Sequence, residues 1–169
     1  MAASKFLALV SGRIREVFST VTSTGVADDG KIVALGADGR LDNSVMPVGL
    51  GNETKIIEAS ENLNAGDLVN IWSSSGNFRV RKADASTAGK EANGFVLSSV
   101  SSGISANVYL EGTVTGLSGL TPGRYYLSTT PGQVTLTPPA NSGNVVQYIG
   151  NSLSSSEITF EATDGVILA

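Results

Sequence analysis

Glu58, Glu61, Asp67, Glu111 and Glu157 are the side chains of this 169-residue chain that could serve as general acids or bases. Glycoside cleavage needs two carboxyl groups about 5 or about 6.5–9.5 Å apart beside an aromatic-lined cleft. With aromatics at 6% of residues and a single tryptophan, the sequence advertises no such cleft, and the better reading is of surface carboxylates. The chain has no histidine and no cysteine. That removes the usual general base near neutral pH, the Ser-His-Asp arrangement, thiolate nucleophiles, and imidazole or thiolate metal ligands. No catalytic residue, no cofactor and no enzymatic activity is therefore expected.

Other groupings have local explanations. Asp28, Asp29, Asp38 and Asp42 invite a calcium reading, but they lack the alternating ligands and the distal glutamate of a calcium loop. Aspartates in turns and at a cap account for each of them, so no metal is expected. Arg79 and Arg81 alternate with Phe78 and Val80 and should project from one solvated strand face, with Lys82 beside them. Trp72, Tyr109, Tyr125, Tyr126 and Tyr148 could stack on a sugar, yet aromatics on strands are more often core or subunit interface. A net charge of −4 argues against nucleic acid as a partner.

The elements that would carry these residues read as strands. Extended segments recur every 8–12 residues after position 51: residues 55–59, 67–72, 78–83, 94–97, 106–110 and 113–115, with no helix of useful length. Ser73-Ser74-Ser75-Gly76-Asn77 reads as a hairpin loop and residues 85–89 as another. From 117 to 160 the chain reads as a run of hairpins. Thr121-Pro122-Gly123-Arg124 and Thr130-Pro131-Gly132-Gln133 each suit a type II turn. Tyr125 with Leu127, and Val134 with Leu136, fall on shared strand faces, and residues 145–149 and 157–161 continue the alternation. Between Gly112 and Ser156 the only charged side chain is Arg124. The fold class that follows is mainly β, a small antiparallel β-sandwich or barrel, with an extended N-terminal arm.

The arm is residues 1–51 and the β-domain residues 52–169. In the arm, apolar residues cluster at 6–10 and at Ile14, Val17 and Phe18, where a short helix and a strand are both compatible with the pattern. Asp-Gly pairs at 29–30 and 38–39 should flank a short strand at 31–35. Asp42 should cap a brief helical turn through Asn43, Ser44 and Val45, ending before Pro47. The run at residues 6–10 is too short to cross a bilayer and its flanks do not suit a signal peptide, so synthesis in the cytoplasm and no membrane partner are expected.

Several motifs point to a family. Gly119-Leu120-Thr121-Pro122-Gly123, Tyr125-Tyr126-Leu127-Ser128, Pro131-Gly132 with Val134-Thr135, Pro138-Pro139, and Val145-Val146-Gln147 with Ile149-Gly150 come in the order found in the C-terminal β-domain of tailed-bacteriophage structural proteins. The set resembles head decoration, or cement, proteins. Residues 30–35, 38–42 and 46–49 are similar to an N-terminal arm shared by decoration and fibre proteins of phages. The resemblance implies a capsid decoration protein, a homotrimer that binds the major capsid protein on the outside of the head and stabilises it at capsomer junctions. Made in the host cytoplasm, it would end in the virion.

On that reading Phe6, Leu7, Ile14, Val17, Phe18, Ile32, Leu35 and Met46 anchor the arm to the shell or to a neighbouring subunit. Tyr125, Tyr126, Val134, Leu136 and Tyr148 contribute to the oligomer interface. The alternatives are a tail or fibre component and a carbohydrate-binding adhesion module.

Overall fold

The computed structural model describes residues 5–37, 39–46 and 53–169. Asp38, and the run Val48-Gly49-Leu50-Gly51, whose composition suits a hinge, lie outside the described residues. The chain divides into two compact units, Met1–Gly51 and Asn52–Ala169.

The first unit begins with a hairpin of β1 (Lys5–Val10) and β2 (Arg13–Phe18), in register from Lys5↔Phe18 to Val10↔Arg13. The pattern that also suited a helix at 13–18 is therefore a strand. The connecting pair Ser11-Gly12 has φ of 53° and 75°, the left-handed values that a two-residue hairpin turn requires and that match the strand twist. After it come two short 3-10 turns, Val26–Asp28 and Asn43–Val45. The expected strand at 31–35 is reduced to one bridge, Thr20↔Val33, closed by Thr20 N–H to Ile32 O at 2.9 Å and Ala34 N–H to Thr20 O at 2.8 Å. With a single short partner, the segment has no sheet to extend. None of the described residues of this unit is buried.

The second unit opens with a closed five-stranded barrel in the order β3-β5-β4-β6-β7. Its strands are β3 (Thr54–Ala59), β4 (Leu68–Ser74), β5 (Asn77–Lys82), β6 (Gly94–Val96) and β7 (Ser105–Tyr109). All pairs are antiparallel except the β3–β5 seam, where Glu58 faces Arg79 and Ala59 faces Val80. β4 and β5 join through Ser75-Gly76, with φ of 51° and 83°, the expected hairpin loop.

A five-stranded sheet follows, in the order β10-β9-β12-β13-β8. Its members are β8 (Gly112–Val114), β9 (Arg124–Leu127), β10 (Val134–Thr135), β12 (Tyr148–Ser154) and β13 (Glu157–Phe160). The short pair β11 (Val145–Val146) and β14 (Val166–Ile167) completes the unit. The segment read as one strand at 145–149 thus breaks at Gln147, and β12 runs on through Ser152-Leu153-Ser154 to the turn at 155–156.

Two apolar clusters share the work of burial. Ile57, Val69, Val80, Val96, Ala106 and Val108 belong to one, whereas Leu68, Phe95, Leu127, Ile149, Ile158 and Phe160 belong to the other. Successive residues of a strand point to opposite faces. Leu68 and Val69, and likewise Phe95 and Val96, therefore feed different clusters, so β4 and β6 are buried on both faces. Phe95 joins the barrel strands to the sheet, with Tyr109 stacked on it and Phe160 tilted against it, both at 5.4 Å between ring centroids.

The two Pro-Gly turns differ. Gln133 N–H reaches Thr130 O at 3.1 Å and Gly132 has φ 80°, as a type II turn demands. At Thr121-Pro122-Gly123-Arg124 the tight turn is replaced by a bend clamped by a side chain. Tyr125 Oη accepts from Thr121 N–H at 2.9 Å and donates to Thr121 O at 3.2 Å. Gly123 N–H meanwhile donates to Ser152 Oγ at 3.0 Å.

Candidate interaction surfaces

Alternation sorts the N-terminal hairpin into two faces. Lys5, Leu7, Leu9, Ile14, Glu16 and Phe18 share one by register, and Phe6, Ala8, Val10, Arg13, Arg15 and Val17 the other. On the first, Leu7, Leu9, Ile14 and Phe18 are all exposed. Lys5 Nζ lies 2.7 Å from Glu16 Oε2 and 5.0 Å from the centre of the Phe18 ring, so the only charges on this face neutralise one another. On the second face Phe6 and Val17 are half-buried. Further along the unit, Ile32, Leu35 and Met46 are exposed. Five of the anchoring candidates are thus on display from this unit's strand and turn segments, together with Leu7, while Phe6 and Val17 are partly covered.

Asp28 and Asp42 each hold a turn of this unit. Asp28 accepts from Thr24 N–H at 2.5 Å, Thr24 Oγ at 2.9 Å and Lys31 Nζ at 2.6 Å. The bond to Lys31, then those to Thr24, lower its pKa to about 2. Asp42 caps the second 3-10 turn as expected, accepting from Ser44 N–H at 2.9 Å and Ser44 Oγ at 2.6 Å. These bonds, the hydroxyl's first, hold its carboxyl below the ordinary value.

In the β-domain the oligomer-interface candidates part company. Tyr125 is buried within its own chain's core, so its ring is not available to a second subunit. Val134 packs partly on the same core and Leu136 is exposed. Tyr126 and Tyr148 meet edge to face at 6.2 Å, with the Arg124 guanidinium 4.7 Å from the Tyr148 ring. Tyr148 Oη reaches Glu161 Oε2 at 3.5 Å, and burial, then the Glu161 charge, raises the Tyr148 pKa.

The five aromatics do not assemble into one platform. Tyr109 stacks on Phe95, Tyr125 is buried, and Trp72 lies under the Arg81 guanidinium at 4.7 Å. Nor do Arg79 and Arg81 form a free basic face. Arg79 pairs with Glu58, and Arg81 donates to Asn70 Oδ1 at 2.9 Å and Gly89 O at 2.8 Å.

Each of the carboxylates singled out in the sequence is engaged, and Glu61 and Asp67 share Lys82. Glu61 accepts from Lys82 N–H at 2.8 Å, Glu111 from Glu53 N–H at 3.4 Å, and Glu157 from Ser154 Oγ at 3.4 Å. Asp67 is buried and meets Lys82 Nζ at 3.1 Å, Asn64 N–H at 2.7 Å and Gln133 Nε2 at 3.3 Å.

Two features escaped the sequence reading. Glu91, Glu161 and Asp164 line a cavity of about 620 Å³ with Asn93 and Gln147; among the described residues no group of three such side chains is placed to hold a metal. On the barrel, Ile56, Ile71 and Phe78 line an apolar groove of about 370 Å³, with Ile56 and Phe78 exposed. Ile56-Ile57 was the only sign of it: two successive apolar residues on a strand must point to opposite faces, and one must leave the barrel interior.

No protein-family model matches the chain, and no curated protein matches it. Among solved structures it is similar to the head fibre gp8.5 N base of bacteriophage phi29, at 14% sequence identity and a TM-score of 0.44, over 66% of this chain and 95% of that one.

Proposed function

We propose that this chain is a structural protein of a tailed-phage virion, a decoration protein that binds the outside of the mature head at capsomer junctions and stabilises it. Its partners are the major capsid protein and further copies of itself, and its work is mechanical rather than enzymatic. One observation carries the reading. The unit Met1–Gly51 has apolar side chains along its length and buries none of its described residues, while the β-domain closes its own cores. Apolar side chains in such a unit gain only when a foreign surface covers them, at roughly 25 cal/mol per Å² of area removed from water.

The motifs that resemble those of decoration proteins support the capsid shell as that surface. A subunit that binds only the expanded shell stabilises it by mass action, and joining several weak footprints in one oligomer raises the overall affinity far above that of each. The test is co-sedimentation of purified protein with mature heads lacking it. Full-length protein should bind, and the pair Ile32→Ser, Leu35→Ser should weaken binding at least tenfold with the β-domain's circular dichroism unchanged. Binding to tails or to host glycans in place of heads would overturn the proposal.

A further inference from the structure

The barrel closes in one place by means unlike the rest. The β3–β5 ladder consists of Glu58↔Arg79 and Ala59↔Val80 and is parallel, whereas β3 keeps register with β7 from Thr54↔Tyr109 to Glu58↔Ser105, and β5 with β4 from Val69↔Lys82 to Ser74↔Asn77. We propose that the barrel opens at this seam before its other strand pairs part, with Glu58, Ser60 and Glu61 as the latch. The inference stands on the barrel alone and does not depend on which surface the chain binds.

Parallel pairing is slightly less stable per residue than antiparallel pairing. Here side chains extend it where backbone bonds run out. Arg79 pairs with Glu58, both partly exposed, and an ion pair open to water holds weakly. Past Ala59, Ser60 N–H and Ser60 Oγ both donate to Val80 O, at 2.8 and 3.0 Å, and Glu61 Oε1 accepts from Lys82 N–H at 2.8 Å. Trp72 Nε1 donates in turn to Ser60 Oγ at 3.3 Å. In the other direction the two strands diverge. The apolar groove of about 370 Å³ lies there, between Lys55, Ile56 and Ile57 on β3 and Phe78 on β5, and Ile56 and Phe78 are already exposed. Opening therefore starts from an end that water reaches.

The other short pairings, those of β6 with β4 and β7, are held differently. Backbone bonds bracket β6: Asn93 N–H to Val69 O at 2.8 Å, Gly66 N–H to Val96 O at 2.8 Å and Val96 N–H to Asp67 O at 3.1 Å. Phe95 and Val96 feed different apolar clusters, so parting β6 uncovers both, whereas Ile57, Ala59 and Val80 at the seam belong to the barrel cluster alone. Opening the seam leaves a continuous sheet, β3-β7-β6-β4-β5, in which every strand keeps a partner. The barrel is thus a sheet with one releasable closure, and in the open form β3 and β5 become its edges.

The experiment is native-state amide exchange on the full chain, read residue by residue and corrected for intrinsic rates. Lys82 and Ala83 are chain neighbours on opposite sides of the question: Lys82 N–H spans the seam, and Ala83 N–H donates to Leu68 O at 2.9 Å on the β4 side. Ser60 and Lys82 should exchange at least about tenfold faster than Ala83 and Asn93, as local opening below the global transition requires. Glu58→Ala with Glu61→Ala should quicken Ser60 and Lys82 further and leave Ala83 unchanged. The chain has no cysteine, so Glu58→Cys with Arg79→Cys places one disulfide across the seam, and its oxidised form should slow Ser60 and Lys82 to the rate of Ala83. Seam amides as slow as Ala83 in the wild type would overturn the proposal. So would Asn93 and Val96 exchanging first, an alanine pair that leaves seam exchange unchanged, or a formed crosslink that does not slow it.

Discussion

Gln147 fastens both ends of one peptide edge of Ala92: Ala92 N–H donates to Gln147 Oε1 at 2.7 Å, and Gln147 Nε2 donates back to Ala92 O at 3.0 Å. The same Nε2 reaches Thr163 O at 2.9 Å. One buried amide thus ties the segment before β6 to the break between β11 and β12 and to the segment after β13. The strand has to break there because its side chain turns inward to replace backbone partners that a sheet would otherwise supply.

Gln147→Ala would leave an N–H and two carbonyls without these bonds. Such losses cost about 1–3 kcal/mol for each buried group left unsatisfied. We expect a drop in melting temperature of several degrees, measured by calorimetry, and Gln147→Glu should be nearly as damaging because a carboxylate cannot donate. A Gln147→Ala protein as stable as wild type would remove the amide from the fold's essential contacts.

Gly150 sits in β12 where the sheet folds closely on itself. A Cβ added there would lie 1.8 Å from Thr159 O, a backbone atom that cannot swing aside. Gly150→Ala should therefore fail to form the β12–β13 register, whereas Gly143→Ala, with φ 82° but nothing near its added Cβ, should show only backbone strain. Amide exchange across residues 148–160 separates the two outcomes.

The barrel strands and β8 were legible because local rules sufficed: alternation gave β3 to β8 within a residue or two, and Ser75-Gly76 and Asp42 announced their turn and cap. What escaped depends on distant partners. Ser152-Leu153-Ser154 carries no local strand signal, yet pairing with β13 makes it strand, since β propensity yields to the neighbouring strand. Pro122-Gly123 has the residues of a type II turn, but the Tyr125 hydroxyl offers Thr121 both a donor and an acceptor, and the bend follows from that. Tyr125 and Tyr126 are indistinguishable by type, and only the side of the sheet that meets the barrel decides which is buried. Glu91 and Asp164 lie far apart in sequence and meet at one cavity through pairing of segments that no local pattern links.

Asp28 predicts a pH dependence confined to the N-terminal unit. Its folded pKa, about 2, lies below the ordinary 3.8 because Lys31 and Thr24 hydrogen-bond its charged form. A group with a depressed folded pKa contributes stability above its unfolded value and loses it as pH falls through the folded one. The turn at Val26–Asp28 should thus hold above pH 3.8 and loosen progressively toward pH 2. Carboxyl chemical shifts followed through an acid titration check this. In Asp28→Asn the Thr24 amide shift should no longer respond over that window.

Two substitutions converge on the Asp67 carboxylate, and their coupling tests what holds β4 to the β9–β10 turn. Asp67 is 1% exposed, and its three partners come from three places in the chain. Lys82→Met removes the only cation in contact and leaves a buried charge served by two neutral donors. Breaking a buried pair from one side costs about 3–5 kcal/mol, and because one-fifth of the Lys82 side chain is open to water the expected loss is nearer about 2–3 kcal/mol. Gly132→Ala attacks the same group differently. At φ 80° its added Cβ would sit 2.7 Å from Asp67 Oδ1, so the carboxylate must move away from Gln133 and Lys82. If both act through Asp67, the double variant should lose less than the sum of the single losses, since a carboxylate already displaced has no ion pair left to break. Chemical denaturation of the four proteins gives that coupling directly. Strict additivity would mean that Gly132 is required for its own backbone angle alone, and that the Asp67–Lys82 pair is maintained without it.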